Sequence, residues 1–377
     1  MDALARARAH TDELFRLVRA EALYERPIPE RHRMIFYIGH LEAFDWNLIG
    51  RYALDRPAFH ASFDHLFAFG IDPPPGQLPQ DKPSDWPRLE EVETYNRKVR
   101  EEIDWLIGTV PEQLRQVAVE HRLMHAETFA YILHQLDYDK KIEPGMKSEV
   151  FRGGSNGPAE MVPVPAGAAR MGRTPEEGFG WDNEFPSTSM EVPEFTIGRR
   201  KVTNGEYLEF VRQGADAPFF WVERGGKWFY KGMWREVPLP LECPVYVTHD
   251  EADAYARWRG MRLPTEAEWH RAAGQTPASE NVDFRGWDPV SAYEEGPGIR
   301  QLTGNGWEWT STVFAPFPGF KPFPFYRNYS EPFFDGGHYV LKGGSPRTAA
   351  CLLRGSFRNW FRPAYPYIYA TFRLVQS

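Results

Sequence analysis

The chain has 377 residues, a formal charge of −8, 42% hydrophobic residues and two cysteines. That length accommodates two ordinary domains, each with its own core, while the acidic balance excludes the concentrated basic surface that nucleic-acid binding needs. Cys243 and Cys351 stand far apart in unlike contexts, which excludes a disulfide scaffold and a thiolate zinc site and leaves buried free thiols as the expectation.

Residues 1–146 read as helices. His10 to Glu25 is periodic and amphipathic, and Arg31 to Ala53 carries Ile35, Ile38, Leu41, Phe44 and Leu48 at helical spacing. A Pro-rich stretch, Ile71 to Pro87, predicts a long structured loop, a length that is often functional. Leu89 to Leu106 is charged on one face, with Val92, Tyr95, Val99 and Ile103 on the other; Val110 to Gln135 is a further long helix with Pro111 in its first turn. Four helices joined by loops predict an antiparallel bundle.

The grammar changes at Glu143-Pro144-Gly145. Beyond it, residues 147–377 predict an α+β domain rich in loops. Its short β-like runs are Glu160 to Val164, Phe195 to Ile197 and Tyr339 to Leu341, and its two clear helices are Asn204 to Gln213 and His249 to Arg259. Asp283 to Pro346 is dense in Gly, Pro and aromatics and is expected to be ordered but irregular. No run approaches 18 apolar residues and the N-terminus lacks the apolar core of a signal peptide, so a cytoplasmic protein with no membrane span is expected.

The strongest local signal is Glu120-His121-Arg122-Leu123-Met124-His125-Ala126-Glu127. Two histidines at i and i+4 lie on one helix face, with Cβ atoms roughly 6 Å apart, so both imidazoles can close on one metal. Met124 shares that face, whereas Glu127 and His134 point away. A third ligand has to come from another helix, and His40 is the candidate because it lies on an apolar face beside Phe36 and Phe44. Three imidazoles leave open positions on iron, cobalt or zinc, as a catalytic site requires; the residues alone do not choose among them.

With these residues in view, the N-terminal half resembles the DinB-like four-helix bundle, whose three-His metal motif matches His40, His121 and His125. The C-terminal half resembles the formylglycine-generating-enzyme (sulfatase-modifying-factor) domain, a C-type-lectin-like α+β fold. That likeness rests on Gly180-Trp181-Asp182-Asn183-Glu184-Phe185-Pro186, Val202-Thr203-Asn204-Gly205-Glu206-Tyr207 and Arg262-Leu263-Pro264-Thr265-Glu266-Ala267-Glu268-Trp269. Gly304-Asn305-Gly306-Trp307-Glu308-Trp309-Thr310 and Leu341-Lys342-Gly343-Gly344-Ser345 complete the set. Formylglycine-generating enzymes bind copper through paired cysteines, and Cys351 stands alone, so that chemistry is not expected here. The Arg262–Thr265 and Trp307–Trp309 stretches are expected to hold the fold rather than to catalyse.

Bundle first and lectin-like domain second is similar to the ergothioneine-type sulfoxide synthases. The resemblance implies an iron(II) oxidoreductase that uses O2 to join a thiol to the imidazole carbon of Nα-trimethylhistidine (hercynine) and to oxidise the sulfur. It implies Tyr95 as the catalytic acid and Asn359-Trp360 as the betaine-binding pair, with Phe361 among the rings beside it; the helix faces already place Met124 and Phe44 at the pocket. Arg358 and Arg362 are candidates for the hercynine carboxylate. Members using γ-glutamylcysteine carry an acidic residue and then an arginine after the Asn-Trp pair; this chain has Phe361 and Tyr365 there, so free cysteine is expected, with Arg88 or Arg97 gripping it. The same architecture leaves open a selenoneine or ovothiol-type synthase. The residues alone leave open a zinc-dependent DinB-like thiol transferase and a non-catalytic binding module.

Overall fold

The computed structural model describes residues 3–68, 77–145, 160–273, 281–294 and 297–376. The chain divides into two compact units, Met1–Met146 and Lys147–Ser377.

The first unit is helical. Helix α1 spans Ala3–Phe15, α2 Met34–Asp45, α3 Ala61–Leu66, α4 Leu89–Leu106 and α5 Glu112–His134. The first helix lies earlier than the periodicity of His10 to Glu25 predicts. Beyond Phe15 the backbone is taken by the far end of the unit: Arg19 N–H donates to the Lys140 carbonyl, and Ile142 N–H to that of Leu17. Helix α2 is buried all round, every residue in it except Phe44, the signature of a central helix. It packs on both α4 and α5. After Asp45 the same run continues as a π-helix, Trp46–Ala53, a form that recurs near functional sites. Helix α4 buries Val92, Tyr95, Val99, Ile103 and Leu106 on one stripe and exposes most of its charges, Arg100 excepted. Pro111 caps α5 rather than entering it, where its missing N–H costs nothing. Of the Pro-rich loop, residues 71–76 lie outside the described residues.

The second unit is α+β. Its strands are β1 Met161–Val164, β2 Gly167–Met171, β3 Thr188–Val192, β4 Phe195–Gly198, β5 Trp221–Arg224, β6 Lys227–Lys231 and β7 Glu236–Pro238, then β8 Trp307–Val313, β9 Tyr339–Lys342, β10 Asn359–Phe361, β11 Ala370–Thr371 and β12 Val375–Gln376. They form four small sheets, ordered β10-β9-β8-β11, β1-β4-β12, β2-β3 and β5-β6-β7, antiparallel apart from β8 with β11. Among the described residues three helices accompany them: α6 Asn204–Arg212, α7 His249–Trp258 and α8 Glu266–Ala273. Each follows a Thr-x-x-Glu capping box, in which the Glu carboxylate accepts from the backbone N–H of Thr203, Thr248 or Thr265. Helix α8, absent from the sequence-based expectation, presses Ala267, Trp269 and Ala272 into a core with Val164, Phe195 and Ile197.

Strand β8 also runs through a segment expected to be irregular. Trp307, Glu308 and Trp309 are all buried, so the strand lacks the in-out alternation that would have marked it. Glu308 accepts from Lys201 Nζ (2.5 Å), Arg373 Nε (2.7 Å) and Trp269 Nε1 (3.2 Å), so this stretch holds the fold, as expected. Cys243 is buried, but Cys351 is exposed, contrary to the expectation of two buried thiols. Among the described residues no helix is long and apolar enough to cross a membrane.

Candidate metal centre and substrate residues

Helices α2 and α5 bring His40, His121 and His125 together in the first unit. All three are buried, and one ring nitrogen from each lies within 4.8 Å of the others. The i,i+4 pair on α5 puts the two imidazole centroids 4.5 Å apart, and His40 crosses from α2 at 5.3 Å and 4.7 Å from them. Rings fix these imidazoles from outside: Phe44 lies flat on His121 (3.4 Å between centroids, 9° between planes), and Phe36 stacks on His40 at 4.8 Å. His40 Nδ1 lies 2.6 Å from the Phe67 carbonyl oxygen. A carbonyl only accepts, so Nδ1 carries the hydrogen and Nε2 presents the lone pair.

Burial keeps all three rings neutral. It lowers the His40 pKa to about 4, although the bond to the Phe67 carbonyl works the other way. Burial, and then the neighbouring histidines, hold His121 well below its ordinary value; burial and then His40 do the same for His125. Among the described residues, His40 Nε2 and His125 Nδ1 are buried with no hydrogen-bond partner. Buried polar atoms are normally paired, so orphaned nitrogens in a tight neutral triad suit a divalent metal held by three imidazoles.

These shifts make the metal-free protein acid-sensitive. An unfolded imidazole titrates near 6.5, whereas the folded ones stay neutral well below that. The unfolded state therefore takes up more protons as pH falls from 6.5 toward 4, and stability that is complete above pH 6.5 is lost across that window. His40 alone accounts for roughly 2 kcal/mol by pH 5. The melting temperature of metal-free protein should therefore drop between pH 7.5 and pH 5, and saturating metal should oppose the drop; a flat profile would mean the imidazoles are not buried neutral.

Beside the triad lies a buried charge network. Arg122, next to His121, donates to the Glu42 carboxylate through Nη1 and Nη2 and to Asp45 Oδ2 at 2.9 Å. Arg100 of α4 joins Glu42 (2.6 Å) to Asp12 of α1 (2.7 Å). Burial works against ionising Glu42, but the Arg122 and Arg100 guanidiniums hold its pKa below the ordinary carboxylate value. Asp45 goes the other way, raised by burial with Glu42 alongside. None of these residues stood out in the sequence, because their pairing depends on helix packing.

The remaining candidates are scattered. Tyr95 is buried among Phe59, Phe63 and Phe67, and its hydroxyl donates to Asp64 Oδ1 at 2.8 Å. Burial first and Asp64 second push its pKa far upward, so it stays protonated. Asp64 went unseen in the sequence. Met124 is half-buried on α5. Arg88 and Arg97 have exposed side chains, 3.7 Å from Glu91 and Glu101 respectively. Arg97 borders a cleft of about 560 Å³ with Asp12, Asn96 and Arg100, and none of the three histidines lines it.

In the second unit Asn359, Trp360 and Phe361 form β10 against β9. Trp360 lies flat on Phe314 (4.3 Å, 5°), with Tyr329 and Phe333 at 5.3 Å and 5.5 Å, and Phe361 stacks on Tyr365 at 5.3 Å. Arg358 is not available to a ligand carboxylate: it is buried and bound through two nitrogens to Glu266 at 2.9 Å and 3.0 Å. Arg362 is about half exposed, with Asp335 at 3.5 Å.

A buried three-imidazole centre in a helical unit, followed by an α+β unit of small sheets, defines a class of two-part enzyme whose second part can be matched directly. Residues 147–377 match the sulfatase-modifying factor enzyme 1-like domain, of C-type-lectin-like fold. The whole chain is 32% identical to the hercynine oxygenase of Mycolicibacterium smegmatis, over 99% of its own length and 97% of that protein's. It is 36% identical to the hercynine oxygenase of Mycobacterium tuberculosis, over 53% of this chain and 56% of that one. Ergothioneine biosynthesis protein 1 of Schizosaccharomyces pombe is 27% identical over 96% of this chain, which spans about half (54%) of that longer protein. The chain belongs to the hercynine oxygenase family and is an oxidoreductase of the oxygenase class.

Proposed function

We propose that this enzyme is a sulfoxide synthase of ergothioneine biosynthesis, which joins cysteine to the imidazole carbon of hercynine with O2 as oxidant and Fe(II) on His40, His121 and His125 of a DinB-like bundle. The observation that carries the proposal is the buried neutral triad, in a chain that aligns end to end with a hercynine oxygenase. In this reaction the thiol S–H and imidazole C–H bonds are lost, and C–S and S–O bonds form. O2 accepts four electrons, one oxygen atom going to sulfur and the other leaving as water. Iron(II), when bound, supplies the electron donation that makes O2 reactive.

The protein's own groups bind, orient and hold protons. Three neutral imidazoles leave the metal its full charge, which favours a thiolate over a thiol, while Phe44 and Met124 wall the site. Tyr95 is the group assigned to protonate reduced oxygen; it keeps its proton, and to deliver it the hydroxyl has to turn from Asp64, to which it donates at 2.8 Å. The rings around Trp360 suit a trimethylammonium group, which makes no ordinary hydrogen bond and is held by aromatic faces at about 0.5–2 kcal/mol each. Asn359 supplies an amide beside them. The Phe361–Tyr365 stack offers no charge to the end of a dipeptide, which supports free cysteine as the thiol.

The test is aerobic turnover of Fe(II)-loaded protein with hercynine and a panel of cysteine, γ-glutamylcysteine and a selenosugar. Cysteine should give the highest kcat/KM; a clear preference for another donor would overturn the thiol assignment. Exposed Arg88 and Arg97 are the cations assigned to the cysteine carboxylate. Replacing both with alanine should raise KM for cysteine several-fold and leave KM for hercynine unchanged. An unchanged cysteine KM would remove them from the site.

A further inference from the structure

Gly39 stands in the interior of a buried helix, where glycine is destabilising relative to alanine. What occupies the space a side chain would fill is the ring of Phe67: a Cβ at position 39 would lie 2.5 Å from Phe67 Cε1 and Cζ. That ring cannot retreat. It is fully buried, with Phe63, Trp86 and Tyr95 around it at centroid distances of 5.7, 6.0 and 6.4 Å. Its backbone is fixed as well, since Phe67 N–H donates to the Phe63 carbonyl (2.9 Å) and closes α3. The same residue presents its carbonyl oxygen 2.6 Å from Nδ1 of His40, the residue that follows Gly39.

We infer that Gly39 and Phe67 form a positioning unit for His40: the missing side chain at 39 seats the Phe67 ring on α2, and the seated residue holds Nδ1–H so that Nε2 faces His121 and His125. The inference rests on the proposal that the triad holds a metal. The pair does not touch the metal; it sets the tautomer and the rotation of one ligand. Outer hydrogen bonds of this kind are worth about 10–100-fold in metal affinity.

The probe is Co(II), titrated into the metal-free full chain and read from its ligand-field spectrum, with circular dichroism of the metal-free protein as the measure of folding. Gly39→Ala should weaken Co(II) binding by about tenfold or more and move the spectrum toward that of His40→Ala, although alanine is the better helix former. Adding Phe67→Leu to Gly39→Ala makes room for the new methyl group and should recover most of the affinity. Phe67→Ala, which introduces no clash but removes the seat, should weaken binding several-fold, and it supplies the test if Gly39→Ala fails to fold. The inference is overturned if a folded Gly39→Ala protein binds Co(II) with the wild-type spectrum and affinity, or if Phe67→Ala does so. Failure of the wild-type chain itself to bind Co(II) would instead overturn the proposed metal centre.

Discussion

His121→Ala is expected to abolish stable Fe(II) binding, and with it turnover, while leaving the helical content of the protein intact. His121 and His125 lie one turn apart on α5, and their rings are held 4.5 Å apart. Removing one leaves two imidazoles and a buried space, with Phe44 losing the ring it lies on. Losing an outer hydrogen bond already costs about 10–100-fold in affinity, and losing a ligand should cost more. The metal-free stability should move in the opposite sense at acid pH, because one buried neutral imidazole no longer resists protonation. Metal content after dialysis, measured with melting temperature, separates the two effects. Wild-type metal content in both His121→Ala and His125→Ala would place the metal elsewhere and return weight to a binding module that does no chemistry.

Glu42→Ala is expected to have the largest effect on stability. Glu42 is fully buried and receives both Arg122 and Arg100, so deleting it leaves the buried Arg122 guanidinium with the Asp45 carboxylate alone and the part-buried Arg100 with that of Asp12 alone. Breaking such a pair costs about 3–5 kcal/mol, which for a unit of this size is roughly 10 °C in melting temperature. The pair itself contributes far less than that, because two charges were desolvated to make it. Replacing Glu42 and Arg122 together with leucine and methionine should therefore be less destabilising than either single change to an apolar residue. Strict additivity in that double-mutant cycle would show that the two side chains act independently.

The sequence showed the histidines well and their supports poorly, for one physical reason. Periodicity is local: the i,i+4 spacing of His121 and His125 fixes their shared face, and the apolar neighbours of His40 place it on a buried one. The contacts that hold them are not local. The Phe67 carbonyl reaches His40 from 27 residues away, and Glu42 meets Arg122 across 80. Neither leaves a pattern in the chain, although a glycine inside a helix, directly before a candidate ligand, was a signal that could have been used. The same contrast runs through the fold. Helix α4 was legible to the residue because its stripe faces one way. Strand β8 was not, because Trp307, Glu308 and Trp309 are buried together and a buried glutamate reads as a surface residue. Helix α8 was hidden by its own shortness, though the Thr265–Glu268 box that starts it matches those of α6 and α7. Helix α1 was displaced because pairing with residues 140–142 captures the backbone at 17–19.

The central claim is that the triad supports O2-dependent carbon–sulfur bond formation on hercynine. Its most direct test is the mass of the product formed by Fe(II)-loaded protein from hercynine and cysteine, in air and under strict anaerobiosis, with oxygen consumption recorded in parallel. The predicted result is a product equal in mass to the two substrates plus O2 less one water, formed only in air, with one O2 consumed for each molecule made. Absence of that product from metal-loaded protein in air, or equal turnover without O2, would contradict the claim.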